Sequence, residues 1–388
     1  MSHHCRSHAA GPSRARVIEA IVRFHRKCLE RYGASIGADA RRALQSILAC
    51  RTEAMGGRHY HCDKCGCDHF AWHSCNHRLC PQCGAAETAE WVASKLRERL
   101  RVPHFMVTFT LPGQLRALCR GDTRGAFLRL FFGAASRAVK EVLANPRHLG
   151  GQCGFFAMLQ TWTQDLRQHP HIHFVVPAVA LDRHGRIRRA RDPKWLARGD
   201  VFAARLRTLL LKAIRDERLL GEDAIEALWR IGWNCDVQNL GSGENAMKYL
   251  GAYVCKGPIC DSRILEIGED TVTFSVKNRD TGRCETVELD GAEFVRRYLQ
   301  HALPARFHRI RYHGFLHARA KSKLQSIRDQ LGMPRPSNEE QPQPDKPTPT
   351  IACPRCGSSM RLSGLRARAP PHLRSFPHIW NRKPPVAA

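Results

Sequence analysis

Acidic side chains are scarce in this chain: 35 Asp and Glu stand against 62 Lys and Arg, a formal net charge of +27 over 388 residues. That imbalance favours a polyanionic partner, because basic side chains release the counterions condensed on phosphates. Long apolar runs are also missing. No stretch approaches the roughly 18 uninterrupted apolar residues of a membrane span. No basic amphipathic anchor stands out for a membrane surface either. Met1 to Arg6 is polar and lacks the apolar segment of an export signal, so a cytoplasmic protein is expected. No internal repeat is visible. Cysteine, by contrast, is plentiful. Many of its 17 copies, six in all, fall in Cys-x-x-Cys pairs, which fits zinc sites in a reducing compartment better than a disulfide framework.

Periodicity divides the chain into parts. Apolar residues at helical spacing predict a helix over Val17 to Tyr32, and a shorter one over Arg41 to Cys50. Residues 1–50 thus read as a helical lead-in, and 51–100 as a zinc-binding domain. Strands are expected at 103–112, Phe155 to Trp162, His171 to Val179 and Trp233 to Val237. Helices are expected at Gly125 to Ala144, Val201 to Leu220, Glu244 to Val254 and Ala292 to Leu303, and a hairpin at 271–289. Helices and strands mix without strict alternation over 101–330, which predicts an α+β domain with a mainly antiparallel sheet covered by helices. Residues 331–350 form a Pro-rich linker, and 351–388 a basic tail without any acid.

Cys62-x-x-Cys65 and Cys80-x-x-Cys83 lie 14 residues apart and predict one tetrahedral Zn²⁺ site. Four thiolates leave no open coordination position, so the role is structural. Cys67, Cys75, His61, His69, His73 and His77 lie nearby; a swapped ligand or second ion stays open. Arg58 and Arg78 flank the knuckles as candidate phosphate contacts. Cys353-x-x-Cys356 resembles half of another ribbon, with His372 and His378 the remaining candidates in the tail.

A second constellation carries the chemistry. In His169-Pro-His171-Ile-His173, residues i and i+2 of a strand face one side, so His171 and His173 point together. Buried imidazoles need partners, and a divalent ion supplies them. His169 or Gln164 could be the third ligand, and Mg²⁺ or Mn²⁺ the ion. Tyr249 and Tyr253 sit at i and i+4, on one face of a helix. A phenol attacks a phosphodiester well when a Lewis acid polarises the phosphorus. Lys248 and Lys256 are candidates for holding a phosphate or lowering a phenol pKa.

The chain resembles transposases of the insertion sequence 91 family, within the HUH (His-hydrophobe-His) tyrosine endonucleases. The resemblance rests on 74–83, on His104 to Leu111, on 161–166 before the histidines, on Lys248 to Tyr253 and on 307–314. It implies an HUH-type palm with a central antiparallel sheet carrying His171 and His173 as metal ligands. Tyr249 and Tyr253 would be the nucleophiles. The substrate would be single-stranded DNA at transposon ends, nicked and rejoined through a 5′-phosphotyrosine in a rolling-circle-like route. Relatives often carry histidine where this chain has Cys255. Two rival readings are a rolling-circle replication initiator or relaxase, and a non-catalytic zinc-ribbon nucleic-acid binder.

Overall fold

The computed structural model describes residues 16–83, 85–121, 123–244, 257–278, 281–334 and 351–369. Its strands, in chain order, are β1 (Gly57–His61), β2 (Asp68–Trp72), β3 (His104–Thr110), β4 (Gln152–Cys153), β5 (Phe155–Trp162), β6 (Gln168–Pro177) and β7 (Val179–Leu181). They continue with β8 (Ile187–Arg189), β9 (Asn234–Asn239), β10 (Ile264–Ile267), β11 (Thr271–Lys277), β12 (Cys284–Asp290), β13 (Ile310–His313) and β14 (Arg361–Arg366). The architecture is α+β, as expected, with a central antiparallel sheet flanked by helices. No described helix is long and apolar enough to cross a membrane. The chain forms two compact units. The first draws its described residues from Met1–Glu87, Cys255–Ala302 and Ser337–Ala388; the second from Thr88–Val254 and Leu303–Pro336.

The second unit is built on a five-stranded sheet of order β13-β5-β6-β3-β9, antiparallel throughout. Strands β5 and β6 are almost wholly buried, in keeping with the apolar run of β5 and with Phe174, Val175 and Val176 of β6. One face is a dry core. Phe109, Ile172, Phe174, Phe155 and Leu159 from the strands meet Phe131, Phe132 and Phe202 from the helices Arg124–Ala144 and Gly199–Asp216. Phe174 sits at its centre, edge-on to Phe109 at 5.6 Å and to Phe155 at 5.3 Å. Such rings add packing energy beyond the area they bury. The alternation that sends Phe174 and Ile172 into this core sends His171 and His173 to the other face.

The first unit packs the helix Val17–Tyr32, which runs over the expected residues, against the helix Gly291–Leu299. Asp290 caps the latter by accepting from the Glu293 N–H at 3.0 Å. From the same helix, fully buried Tyr298 donates its hydroxyl hydrogen to the Leu79 carbonyl at 2.5 Å, one residue before Cys80. β10-β11-β12 form the expected hairpin with a third strand added. A further sheet, β14-β1-β2, was not legible in the sequence: the basic tail supplies its edge strand. The expected helix Glu244 to Val254 lies outside the described residues after Glu244.

Candidate functional site

The histidine pair is where strand alternation puts it. His171 and His173 are buried on β6, 4% and 6% exposed, with ring centroids 4.8 Å apart. The His171 Nδ1 lies 2.7 Å from the His169 carbonyl. A carbonyl only accepts, so Nδ1 carries the proton and the lone pair of the neutral ring is on Nε2. The Thr108 hydroxyl engages the His173 Nδ1 at 3.0 Å. Both rings are thus oriented through Nδ1, as histidine ligands usually are.

Register adds a residue that sequence reasoning missed. Gln160 of β5 pairs directly with His171, and Thr110 of β3 pairs with it from the other side. Directly paired residues share a face, with Cβ atoms about 5 Å apart. Gln160 is 7% exposed, and its buried Oε1 has no hydrogen-bond partner among the described residues. Such an orphan acceptor is costly unless something occupies it. The chemistry fits a divalent ion: two imidazole nitrogens and an amide oxygen on one face of rigid strands. The signal in the sequence was slight, a lone amide inside the apolar run Phe155 to Trp162.

Of the two sequence candidates for that third position, His169 adjoins the pair, its ring centroid 5.4 Å from that of His171. Gln164 sits half-buried in the turn between β5 and β6. His169 is on β6, and Arg116 donates to its Nδ1 at 3.2 Å. A guanidinium at that distance opposes a second cation. Tyr249, Tyr253, Lys248 and Lys256 lie outside the described residues.

The cysteine block corrects the expected single site. Among the described residues, two groups of four cysteines converge: Cys50, Cys75, Cys80 and Cys83, and Cys62, Cys65, Cys353 and Cys356. In each group the sulfurs lie within 4.8 Å of one another. The expected quartet Cys62, Cys65, Cys80 and Cys83 is split because β1 and β2 stand between its halves. Cys62 and Cys65 occupy the hairpin tip, while the chain after Trp72 returns to the hairpin base beside Cys50. Five strand residues span about 17 Å, too far for one ion. Cys50 and Cys75, which belong to no Cys-x-x-Cys pair, are the members of the group that pair-spotting passes over. The reading of Cys353 and Cys356 as half a site needing His372 or His378 is corrected likewise; those histidines lie outside the described residues.

The first group fits zinc. Sγ separations of 3.6 Å (Cys50–Cys83) and 3.8 Å (Cys75–Cys83) match the roughly 3.8 Å edge of a zinc tetrathiolate. The Cys75 N–H donates to the Cys50 sulfur, and the His77 N–H to the Cys75 sulfur, each at 3.4 Å. Hydrogen bonds from Cys75, then Cys80, hold the Cys50 thiol well below its usual range. Of the cysteines described, 14 are free, as a zinc reading requires, and Cys284 is disulfide-bonded. Arg58 is exposed on β1; Arg78 is half-buried, and desolvation lowers its pKa.

Comparison with known proteins accounts for both halves. Residues 154–323 match a family model described as "Putative transposase", and residues 20–111 one described as "Transposase zinc-binding domain". A "Putative transposase y4qJ" of Sinorhizobium fredii (strain NBRC 101917 / NGR234) is 34% identical over 330 residues, covering 79% of this chain and 83% of that protein. The "Transposase for insertion sequence element IS801" of Pseudomonas savastanoi pv. phaseolicola is 27% identical over 289 residues, 70% of this chain and 69% of that protein. No solved structure matches the chain. With the histidine strand β6 in one match, Cys50, Cys75, Cys80 and Cys83 in the other, and a relative this similar along most of its length, the chain belongs to the insertion sequence 91 family of transposases.

Proposed function

We propose that this transposase nicks and rejoins single-stranded DNA at the ends of its element through a 5′-phosphotyrosine. The observation that carries the reading is the alignment of His171, His173 and Gln160 on one face of the five-stranded sheet. These three side chains would hold Mg²⁺ or Mn²⁺, which when bound supplies Lewis-acid polarisation of the scissile phosphate. The chain's own residues do the rest. His169 O and Thr108 Oγ1 fix the two imidazoles, so the donor set is preorganised rather than gathered on binding. Tyr249 and Tyr253 act as the nucleophiles. A phenolic oxygen bonds to phosphorus and loses its proton, the P–O3′ bond breaks, and the leaving 3′ oxygen takes up a proton. The phosphotyrosine conserves the bond, so a 3′-hydroxyl can reverse the step without ATP. Two tyrosines allow one to hold a strand while the other attacks the next junction. The excess of basic side chains supports a nucleic-acid partner.

The test is a covalent-adduct assay with single-stranded oligonucleotides from the element ends and Mn²⁺. Wild type should form an adduct, and the Tyr249→Phe/Tyr253→Phe double variant none. His171→Ala should abolish cleavage while DNA binding survives. Gln160→Ala should raise the Mn²⁺ concentration needed for half-maximal cleavage about 10- to 100-fold, the range for groups that tune a metal site. Adduct formation by the double-tyrosine variant would remove the nucleophile assignment. An unchanged Mn²⁺ requirement in Gln160→Ala would return the third position to His169 or Gln164. A plasmid origin cleaved in preference to element ends would favour a replication initiator.

A further inference from the structure

We propose that Cys62, Cys65, Cys353 and Cys356 bind a second structural Zn²⁺, and that this ion fastens the C-terminal segment to the β1–β2 hairpin. The family match for zinc binding ends at residue 111 and the other at residue 323, so neither reaches Cys353. The ligands come from segments 288 residues apart or more.

Three observations converge. The sulfurs are placed for a metal: Cys62–Cys356 and Cys65–Cys353 are each 3.5 Å apart, near a zinc-tetrathiolate edge. A disulfide would need about 2.05 Å. The two Cys-x-x-Cys loops also share one backbone design. In the first, the Gly66 N–H donates to the Cys62 carbonyl at 2.8 Å and the Cys62 N–H to the Cys67 carbonyl at 2.9 Å. In the second, Gly357 donates to Cys353 at 2.8 Å and Cys353 to Ser358 at 2.7 Å, the same offsets along the chain. Gly66 and Gly357 both adopt positive φ, 68° and 73°, where a side chain would be strained. The Arg355 N–H donates to the Cys353 sulfur at 3.4 Å. Two matching knuckles presented sulfur to sulfur are the halves of a ribbon site.

Packing supplies the third argument. β14 pairs along the whole of β1, yet the apolar cluster beneath is small: buried Tyr60, Cys62, Cys353 and Met360. Two of those four are the cysteines themselves. So little apolar burial does not offset the entropy of ordering a segment that far along the chain, whereas a tetrathiolate ion does.

Full-length protein purified with zinc should carry two Zn²⁺ per chain by elemental analysis. Cys353→Ser/Cys356→Ser should carry one, the remaining ion showing that the first group is still folded. One ion in wild type, or two in the variant, would overturn the proposal. A probe of wild-type protein guards against a variant that fails to fold. Cys356 is exposed, so without a metal iodoacetamide should modify it at once. With zinc in place, peptides carrying Cys353 and Cys356 should resist alkylation until a chelator is added. Immediate alkylation, or a Cys62–Cys356 or Cys65–Cys353 cross-link under non-reducing conditions, would sink it.

Discussion

The five-stranded sheet and the three-stranded cysteine ribbon solve the same problem by opposite means. The sheet is held by aromatic and aliphatic side chains contributed by strands and two long helices, and Phe174 alone meets three other phenylalanine rings. The ribbon buries one tyrosine, one methionine and its own ligands. A sheet with a core persists whatever its site holds; a ribbon without one depends on its ion. The division suits the proposed chemistry: a rigid sheet would set donor atoms to fractions of an ångström, while the ribbon need only stay folded.

The largest effect that could break this contrast is metal removal. Stripping zinc with a strong chelator should abolish amide-exchange protection in Gly57–Trp72 and Arg361–Arg366. Protection in β3, β5 and β6 should remain. Joint loss in both regions would show that the sheet too leans on zinc. The converse experiment is Phe174→Ala, which should destabilise the sheet by about 3–5 kcal/mol through lost contact and a residual cavity. Denaturant unfolding should show that loss, and zinc content should stay the same; a fall in zinc would merge two behaviours separated here.

A smaller effect concerns His104, on β3. It is 3% exposed, and burial lowers its pKa from 6.5 to about 4, while Nδ1 faces the Val102 carbonyl at 2.9 Å. The unfolded chain regains the ordinary value, so between those pH values it binds more protons than the folded one. The stabilisation is therefore whole above pH 6.5 and falls as pH drops toward 4, by roughly 3 kcal/mol at most. Unfolding midpoints measured across that window should fall less steeply for His104→Gln. An equally steep fall would clear His104 of the effect and move it to other groups.

How much was legible follows from how far apart the deciding residues are. The helix Val17–Tyr32 and the strand Phe155–Trp162 run over the expected residues because their periods lie inside one segment. His171 and His173 share a face for the same reason. Gln160 could not be read, since its value lies in its opposition to His171, and register joins two segments through a bulged hairpin. Gln164 is near the histidines in sequence and lies in the turn between β5 and β6.

The cysteines show the boundary most sharply. A Cys-x-x-Cys-Gly knuckle is a local object, so Cys62, Cys65, Cys80, Cys83, Cys353 and Cys356 were all visible as thiolate pairs. Each pair needs two more sulfurs, however, and nothing local says which. By itself the sequence determined the basic charge excess, the Cys-x-x-Cys pairs, the paired imidazoles and the alternation that separates them from the core. Only the tertiary structure decided that Cys50 and Cys75 complete one cysteine group, that the tail returns to complete the other, and that Gln160 stands opposite His171. The reason is physical: spacing governs what one segment can present, and the partner it meets is chosen by the packing of all the others.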